Sequence, residues 1–217
     1  MRRASPGRYA AAVGEVLDRF PLFPLGMVML PSELVPLHIF EERYKLMIGE
    51  CLDEEREFGI VWMADDGLRT VGCAGRITQL LDTTDDGRMN ILVQGTRPFR
   101  LVERIPDLPY PAGTIELLDE AEYDATPEAA ATARERYAQL VERVTDKRPD
   151  DDELKRLDAY GMAATIEFAP APKQALLEER SEAARLELVT EMLTETIAKL
   201  EFSEKAGDVA RSNGKLR

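Results

Sequence analysis

Residues 20–44, FPLFPLGMVMLPSELVPLHIFEERY, determine how the first half of the chain folds. Each proline here fixes φ, removes a backbone donor and pushes the preceding residue toward extended geometry, so no helix can run through the stretch. We therefore expect three short extended segments, at 21–25, 27–30 and 34–40, with bends between them. Apolar residues fall at helical spacing from Glu41 onward, which predicts a helix directly after the last strand. The prolines are Pro21, Pro24, Pro31 and Pro36.

The flanking sequence predicts a short helix upstream and a series of strands downstream. Apolar residues between Tyr9 and Phe20 recur at steps of three and four, the spacing of a helix that leads into the first strand. Downstream, alternating apolar residues are separated by Asp-Asp-Gly turns, as in a small barrel or rolled sheet. Pro98 cannot donate to a strand ladder, so we expect an edge or a bulge at 97–99. The predicted downstream strands are 58–63, 70–81, 89–94, 99–105 and 110–118.

From residue 126 the pattern becomes helical. Thr126 and Pro127 are residue types that favour the N-cap and the first position of a helix, and an apolar stripe at helical steps follows them. The same spacing predicts a helix over 154–168, a short one over 173–179 and a long one over 181–200.

Three segments of the chain resemble the substrate-binding domain at the N-terminus of Lon proteases. The first is residues 20–44, with its PLFPL opening and its PLHIFEERY ending. The second, at 70–103, has the VG strand, the DGR turn and the strand after it, with Cys73 and Pro98 as departures from the family pattern. The third is PAPKQALLEERSEAARLELVTEML at 170–193. The resemblance covers about residues 20–202.

This resemblance implies an α+β fold. A PUA-like β pseudo-barrel lobe is expected over about residues 20–119, and an α-helical lobe over about 126–203 is expected to complete one substrate-binding domain. Residues 1–7 and 205–217 carry no apolar pattern, so we expect disordered tails there.

Composition and charge restrict the classes of partner. The chain has 28 basic and 41 acidic residues, a net charge of −13 that repels phosphate backbones, so no nucleic-acid partner is expected. The sequence has no apolar run long enough to span a bilayer, and charged residues interrupt any signal-peptide core, which predicts no membrane partner and a cytoplasmic location. Cys51 and Cys73 form no CxxC pair and are expected to be buried, reduced thiols.

The sequence contains no motif that predicts catalysis. Patterns for a phosphate-binding loop, a nucleophile elbow, a zinc helix and a dinucleotide site do not occur, so no cofactor or metal is expected. SNGK at 212–215 spells the spacing of a Ser-Lys dyad, but its polar surroundings would keep the lysine charged. His38 stands alone, and the paired aspartates at 65–66 and 85–86 precede glycine as turn residues do. We therefore expect a protein that is not an enzyme.

The resemblance implies that the domain captures unfolded or tagged polypeptide, or binds a protein partner such as an ATP-dependent protease. A capture surface needs exposed apolar side chains that adapt to many sequences, and methionine suits this role. Met27, Met29, Leu30 and Pro31 are the candidates, with burial in the core as the alternative. Because the four prolines prevent a full ladder, part of the stretch should lie at a sheet edge, where an extended client could add as a strand. If Met29 is exposed, Met29→Glu should weaken client binding without unfolding the domain. Arg43 and Tyr44 are expected either to rim a groove or to fix the joint between strand and helix.

Two other classes of function compete with this prediction. PUA-like sheets include RNA binders, for which Arg97, Arg100 and Arg104 would supply a local basic set despite the acidic total. An enzyme of unknown chemistry is the third possibility. A cleft between the two lobes is the alternative binding surface if the methionines are buried.

Overall fold

In the computed structural model, which describes residues 14–119 and 125–213 with side chains as far as residue 206, six strands form a sheet that closes on itself. The strands are β1 (Val16–Leu25), β2 (Leu34–Ile39), β3 (Phe58–Ala64), β4 (Gly67–Thr83), β5 (Met89–Ile105) and β6 (Ala112–Leu117). Their order is β2-β5-β4-β3-β1-β6, and β6 returns to pair with β5. β5, β4, β3, β1 and β6 therefore make a closed barrel, from which β2 extends as an edge strand.

The barrel interior holds a small cluster of buried apolar side chains that includes Phe20 and Phe99, and strand glycines lie against the Phe99 ring. Phe99 is fully buried and packs edge-on against Phe20, with ring centroids 5.7 Å apart. A Cβ at Gly59 would lie 2.5 Å from the Phe99 ring, and one at Gly72 would lie 2.7 Å from it. The strand glycines therefore make room for the ring in a barrel this narrow.

Six helices occur in the described residues: α1 (Glu42–Asp53), α2 (Pro127–Thr145), α3 (Asp151–Arg156), α4 (Ala159–Ala163), α5 (Pro170–Glu178) and α6 (Glu182–Asn213). We call the strands with α1 the β lobe, and α2–α6 the helical lobe. One large cluster of buried apolar side chains joins the lobes, running from Phe23 and Met47 to Leu176 and Leu193. The predicted α+β class, a β lobe ahead of a helical lobe, is confirmed.

Two predicted elements of the β lobe need correction: one extended segment does not join the sheet, and the end of the predicted upstream helix is a strand. Residues 27–30 form a loop: Val28, Met29 and Leu30 are all buried, whereas a strand would alternate them, and the Leu30 N–H donates to the Glu33 carboxylate at 2.8 Å. Residues 16–20 belong to β1, where a bulge at Arg19, with φ of 53°, shifts the side-chain alternation and imitates helical spacing. Residues 9–13 of the predicted helix lie outside the described residues.

Two predictions for the helical lobe are also wrong. The helix expected over 154–168 is two short helices, because Leu157 is extended and Asp158 caps a new helix by accepting from the Gly161 N–H at 2.6 Å. The tail expected to be disordered from residue 205 continues α6 as far as Asn213, while 1–7 and 214–217 lie outside the described residues.

The irregularity predicted around Pro98 is confirmed. The β4–β5 register shifts between the Cys73–Pro98 and Gly75–Gly95 pairs, so β5 has an extra residue next to its proline. The strands predicted on either side of this point form the single strand β5.

Candidate functional site

A groove lies between β2 and the chain that links α4 to α5, where the two lobes meet. Its volume is about 460 Å³, and its walls are mainly apolar. We call it the interlobe groove. The lining residues are Met27, Val28, Leu34, Val35 and Pro36 on the β lobe, Ala164, Thr165, Ile166, Phe168 and Pro170 on the helical lobe, and the charged side chains of Glu33, Glu167 and Lys173.

The interlobe groove continues past Leu34 into a second hollow of about 420 Å³. The two hollows share Leu34, Ala164 and Thr165, and the second is lined further by Arg156 and Asp158. On the β lobe their lining runs from Ser32 to Pro36, so the joined space extends along the start of β2 and can take an extended chain.

The backbone of β2 has a free edge beside this groove. The Gly95 N–H donates to the Glu33 carbonyl at 2.9 Å, so residue 33 and every second residue after it direct their backbone groups to β5. Leu34, Pro36 and His38 alternate with them and direct their N–H and C=O groups away from β5. Pro36, which has no N–H to donate, thus occupies a position where β5 requires none.

A buried ion pair forms the base of the interlobe groove. Lys173 Nζ donates to the two carboxylate oxygens of Glu33 at 2.6 and 2.8 Å, and the two side chains are 8% and 14% exposed. Glu33 also accepts from the Leu30 N–H. The next residue, Gln174, donates to the Val71 carbonyl at 3.1 Å. The Lys-Gln dipeptide of α5 therefore fixes the helical lobe to the β lobe directly beneath the groove.

The structure corrects the exposed capture surface predicted from the methionines. Met29 and Leu30 are 0% exposed and belong to the core, and Pro31 is buried as well. Their burial follows from close backbone approach: a Cβ on Gly95 would lie 2.0 Å from the Leu30 carbonyl oxygen. Met27 is the one residue of this set that lines the interlobe groove, and it is half-buried.

Arg43 and Tyr44 have separate positions. Tyr44 is buried against Phe23, with ring centroids 4.1 Å apart, and so fixes the joint between strand and helix. Burial raises the pKa of Tyr44, an effect that the neighbouring guanidinium of Arg43 partly offsets. Arg43 is exposed, pairs with Glu41 at 2.8 Å and lines a different groove.

The residues that sequence reasoning missed are those of the helical wall and Leu34 on β2. Leu34 is 55% exposed despite lying in an apolar run, and Pro36 marks an edge strand. The prolines predict a sheet edge within residues 20–44, because proline is confined to edges and bulges in sheets, and β2 is that edge. No comparable signal marked Ile166 and Phe168, since only the fold brings them opposite β2.

His38 and the two cysteines do not line the interlobe groove. His38 Nδ1 donates to Asn90 Oδ1 at 2.7 Å on the surface. Cys51 and Cys73 are buried free thiols; burial raises the pKa of Cys51 to about 11, and that of Cys73 is raised for the same reason. Within 14–119 and 125–213, no group of three or more metal-ligating side chains converges. The helices in these ranges are too short or too polar to cross a membrane.

Comparison with known proteins links this geometry to a family. The family model for the ATP-dependent protease La (LON) substrate-binding domain matches residues 19–195. The Lon protease of Paraburkholderia phytofirmans is 24% identical over 96% of the chain, and that of Anaeromyxobacter dehalogenans is 26% identical over 85%. These matches cover 28% and 24% of the two proteases, so the chain spans about a quarter of their length.

Two solved structures share the fold. A Lon N-terminal domain protein from Xanthomonas campestris superposes with a TM-score of 0.62 at 24% identity, covering 79% of this chain and 96% of that one. The N-terminal domain of a Mycobacterium avium complex Lon protease superposes with a TM-score of 0.61 at 22% identity, covering 83% and 98%. With the family match extending over most of its length, the chain belongs to the family of Lon substrate-binding domains.

Proposed function

We propose that the interlobe groove binds an extended segment of unfolded or tagged polypeptide, which adds as a strand to the free edge of β2. The observation that carries this proposal is the position of that edge, because Leu34 and Pro36, whose backbone groups point outward, line the apolar groove. Strand addition supplies affinity through main-chain hydrogen bonds, while apolar walls accept alternate side chains.

The composition of the groove suits clients of varied sequence. Backbone hydrogen bonds do not depend on side-chain identity, and Met27 can adjust its rotamers to different neighbours. The proline in the edge prevents a full ladder, since only Leu34 and His38 can donate there. A client is therefore bound weakly enough to be released, and the edge does not promote aggregation.

We further propose that the chain binds without catalysis and acts beside a protein partner such as an ATP-dependent protease. Support comes from its relatives, which are Lon proteases about four times as long, and from the match to their substrate-binding domain. A cytoplasmic location is part of the proposal, because two free thiols suit a reducing compartment.

The test measures binding of a reduced, carboxymethylated model protein by fluorescence anisotropy. Leu34→Glu should weaken binding about tenfold or more, because it places a charge on the shared wall of both hollows. Leu81→Glu is the matched control, since Leu81 is 50% exposed outside the groove and should bind as wild type. Equal binding by both variants would refute the site.

A second arm tests strand addition itself. Client peptides carrying N-methyl groups on alternate residues lose the donors of one strand edge. Methylation of one alternate set should abolish binding and methylation of the other set should leave it intact, because only one edge of an added strand faces β2. If both sets bind equally well, side chains alone hold the client.

A further inference from the structure

A second groove lies where β1, β3, β4 and the loop between β5 and β6 meet. Its volume is about 550 Å³, and it shares no lining residue with the interlobe groove. Four of its lining residues are prolines, which hold their backbone in place and leave the groove preformed. We call it the proline groove; its prolines are Pro24, Pro106, Pro109 and Pro111.

The charged residues that line the proline groove are both arginines. Arg43 lies at the start of α1 and Arg104 near the end of β5, while the remaining walls are apolar or proline apart from Tyr110. This cationic lining contrasts with the net charge of −13 for the whole chain. A basic groove in an acidic protein selects its occupant by charge, because apolar walls strengthen the field inside it.

Arg104 has its full charge available for a ligand. It is exposed, and it makes no ion pair with any described residue. Arg43 is partly neutralised by Glu41 at 2.8 Å, and its guanidinium lies 4.6 Å from the centroid of the Tyr44 ring. The ring contact holds Arg43 in position at the groove, so an incoming carboxylate meets one free guanidinium and one that is already oriented.

We propose that the proline groove binds an acidic, apolar segment of a partner protein. In this arrangement a carboxylate of the segment pairs with Arg104 and Arg43, and its flanking apolar side chains contact Met63, Leu68 and Leu108. Met63 is 47% exposed, so it offers an adaptable apolar surface without first being uncovered. The interlobe groove takes unfolded chains of varied sequence, whereas the proline groove recognises one partner by charge.

The test uses short fluorescein-labelled peptides in which leucines flank two aspartates, two asparagines or two lysines. The aspartate peptide should bind about tenfold more tightly than the asparagine peptide, because charge-assisted hydrogen bonds to arginine are lost in the latter. Its affinity should fall with added salt, since the groove is open to solvent. Equal affinity for the aspartate and asparagine peptides would overturn the proposal.

Charge reversal assigns the effect to the groove. Arg104→Glu should lower the affinity for the aspartate peptide about tenfold or more and improve binding of the lysine peptide. Arg100→Glu is the matched control: Arg100 is exposed on the same strand, lies outside the groove and has no ion pair with the described residues. The change should alter either affinity less than twofold. Equal losses in both variants would show that net charge alone is responsible.

Two further measurements separate a folding defect from a loss of binding, and a carboxylate ligand from a phosphate ligand. Arg104→Gln, which removes the charge without reversing it, replaces Arg104→Glu if the latter lowers the melting temperature. It should still weaken binding of the aspartate peptide. Competition with polyuridylate separates a carboxylate from a phosphate ligand. If polyuridylate displaces the labelled aspartate peptide more effectively than unlabelled aspartate peptide does, the groove binds nucleic acid and the proposal is overturned.

Discussion

The loop between β1 and β2 shows how single residues determine what is exposed. Three successive side chains, Val28, Met29 and Leu30, are buried, and the Cε atom of Met29 would lie 2.8 Å from a Cβ on Gly75. Glycines at 75 and 95 therefore permit the loop to lie flat against the sheet. Burial of Met29 therefore depends on the lack of side chains at these two glycines, which are distant in the sequence.

Met29→Glu should unfold the domain, because a charge placed at a fully buried position costs several kcal/mol. Met63→Glu is the control, since Met63 is 47% exposed and should leave stability nearly unchanged. Thermal melts of the two variants test this. A native melting temperature for Met29→Glu would place Met29 on the surface after all.

Stability should fall in alkaline solution because of the buried thiols. Burial raises the pKa of Cys51 from its ordinary 9.0 to about 11, so the unfolded chain loses this proton first as pH rises. The protonated Cys51 thiol therefore contributes its full stabilisation of the fold below about pH 9, and this stabilisation is lost as the pH rises toward about 11. Urea titrations across this range measure the free energy of unfolding.

Cys51→Ala supplies the control for this pH dependence. The variant should be less stable than wild type at neutral pH because of the cavity, but its stability should decline less steeply above about pH 9. An unchanged slope would mean that other groups cause the alkaline loss. The buried phenols of Tyr44 and Tyr160, whose pKa values are raised by burial, are the first to consider.

At the scale of elements, α5 joins the two lobes. Lys173 reaches Glu33 in the loop before β2, and Gln174 reaches Val71 on β4. The KQ pair that supported the family resemblance thus has a structural role, fixing the wall of the interlobe groove. An edge strand and a helix that are separated by more than a hundred residues in sequence are held at a fixed spacing.

Lys173→Met should destabilise the protein by about 3 kcal/mol, because it leaves the Glu33 carboxylate buried without its cation. Lys155→Met is the matched control: its ion pair with Asp152 is 70% exposed on the lysine side, and such surface pairs contribute little. Urea midpoints measure both effects. Similar midpoints for the two variants would show that Lys173 does not hold the lobes together.

At the scale of the whole molecule, the two lobes share one core. The large buried cluster includes Phe23 and Ile91 from the sheet together with Tyr137 and Leu193 from the helices. Neither lobe can expose its part of this cluster without uncovering the other's. We therefore treat the lobes as one cooperative unit despite their different secondary structure.

Unfolding should occur in one transition that two probes report alike. Trp62, the single tryptophan, lies on β3 and reports the β lobe by its fluorescence, whereas circular dichroism at helical wavelengths reports mainly the helical lobe. The two midpoints in urea should coincide, as they do for a two-state domain. Separate midpoints would show that the helical lobe unfolds independently and that the shared core is not cooperative.

Local sequence patterns predicted most of the regular elements. Proline spacing, Asp-Asp-Gly turns and helical periodicity predicted most strands, the helix after β2, the N-cap at Thr126 and the irregularity at Pro98. They failed at residues 16–20, where a bulge imitates helical spacing, and at Asp158, which starts a new helix where the periodicity continues. In each failure a short-range pattern was consistent with two conformations, and a hydrogen bond made in the folded chain selected one.

The sequence by itself determined the family resemblance, the α+β class and an acidic chain without a recognisable catalytic motif, because these depend on residue identity and short spacings. Only the tertiary structure decided which apolar residues are exposed. Met29 and Leu34 look alike in sequence, yet one is fully buried and the other is 55% exposed. The difference arises because glycines of β4 and β5 admit the loop before β2, whereas no strand pairs with the outer edge of β2 among the described residues.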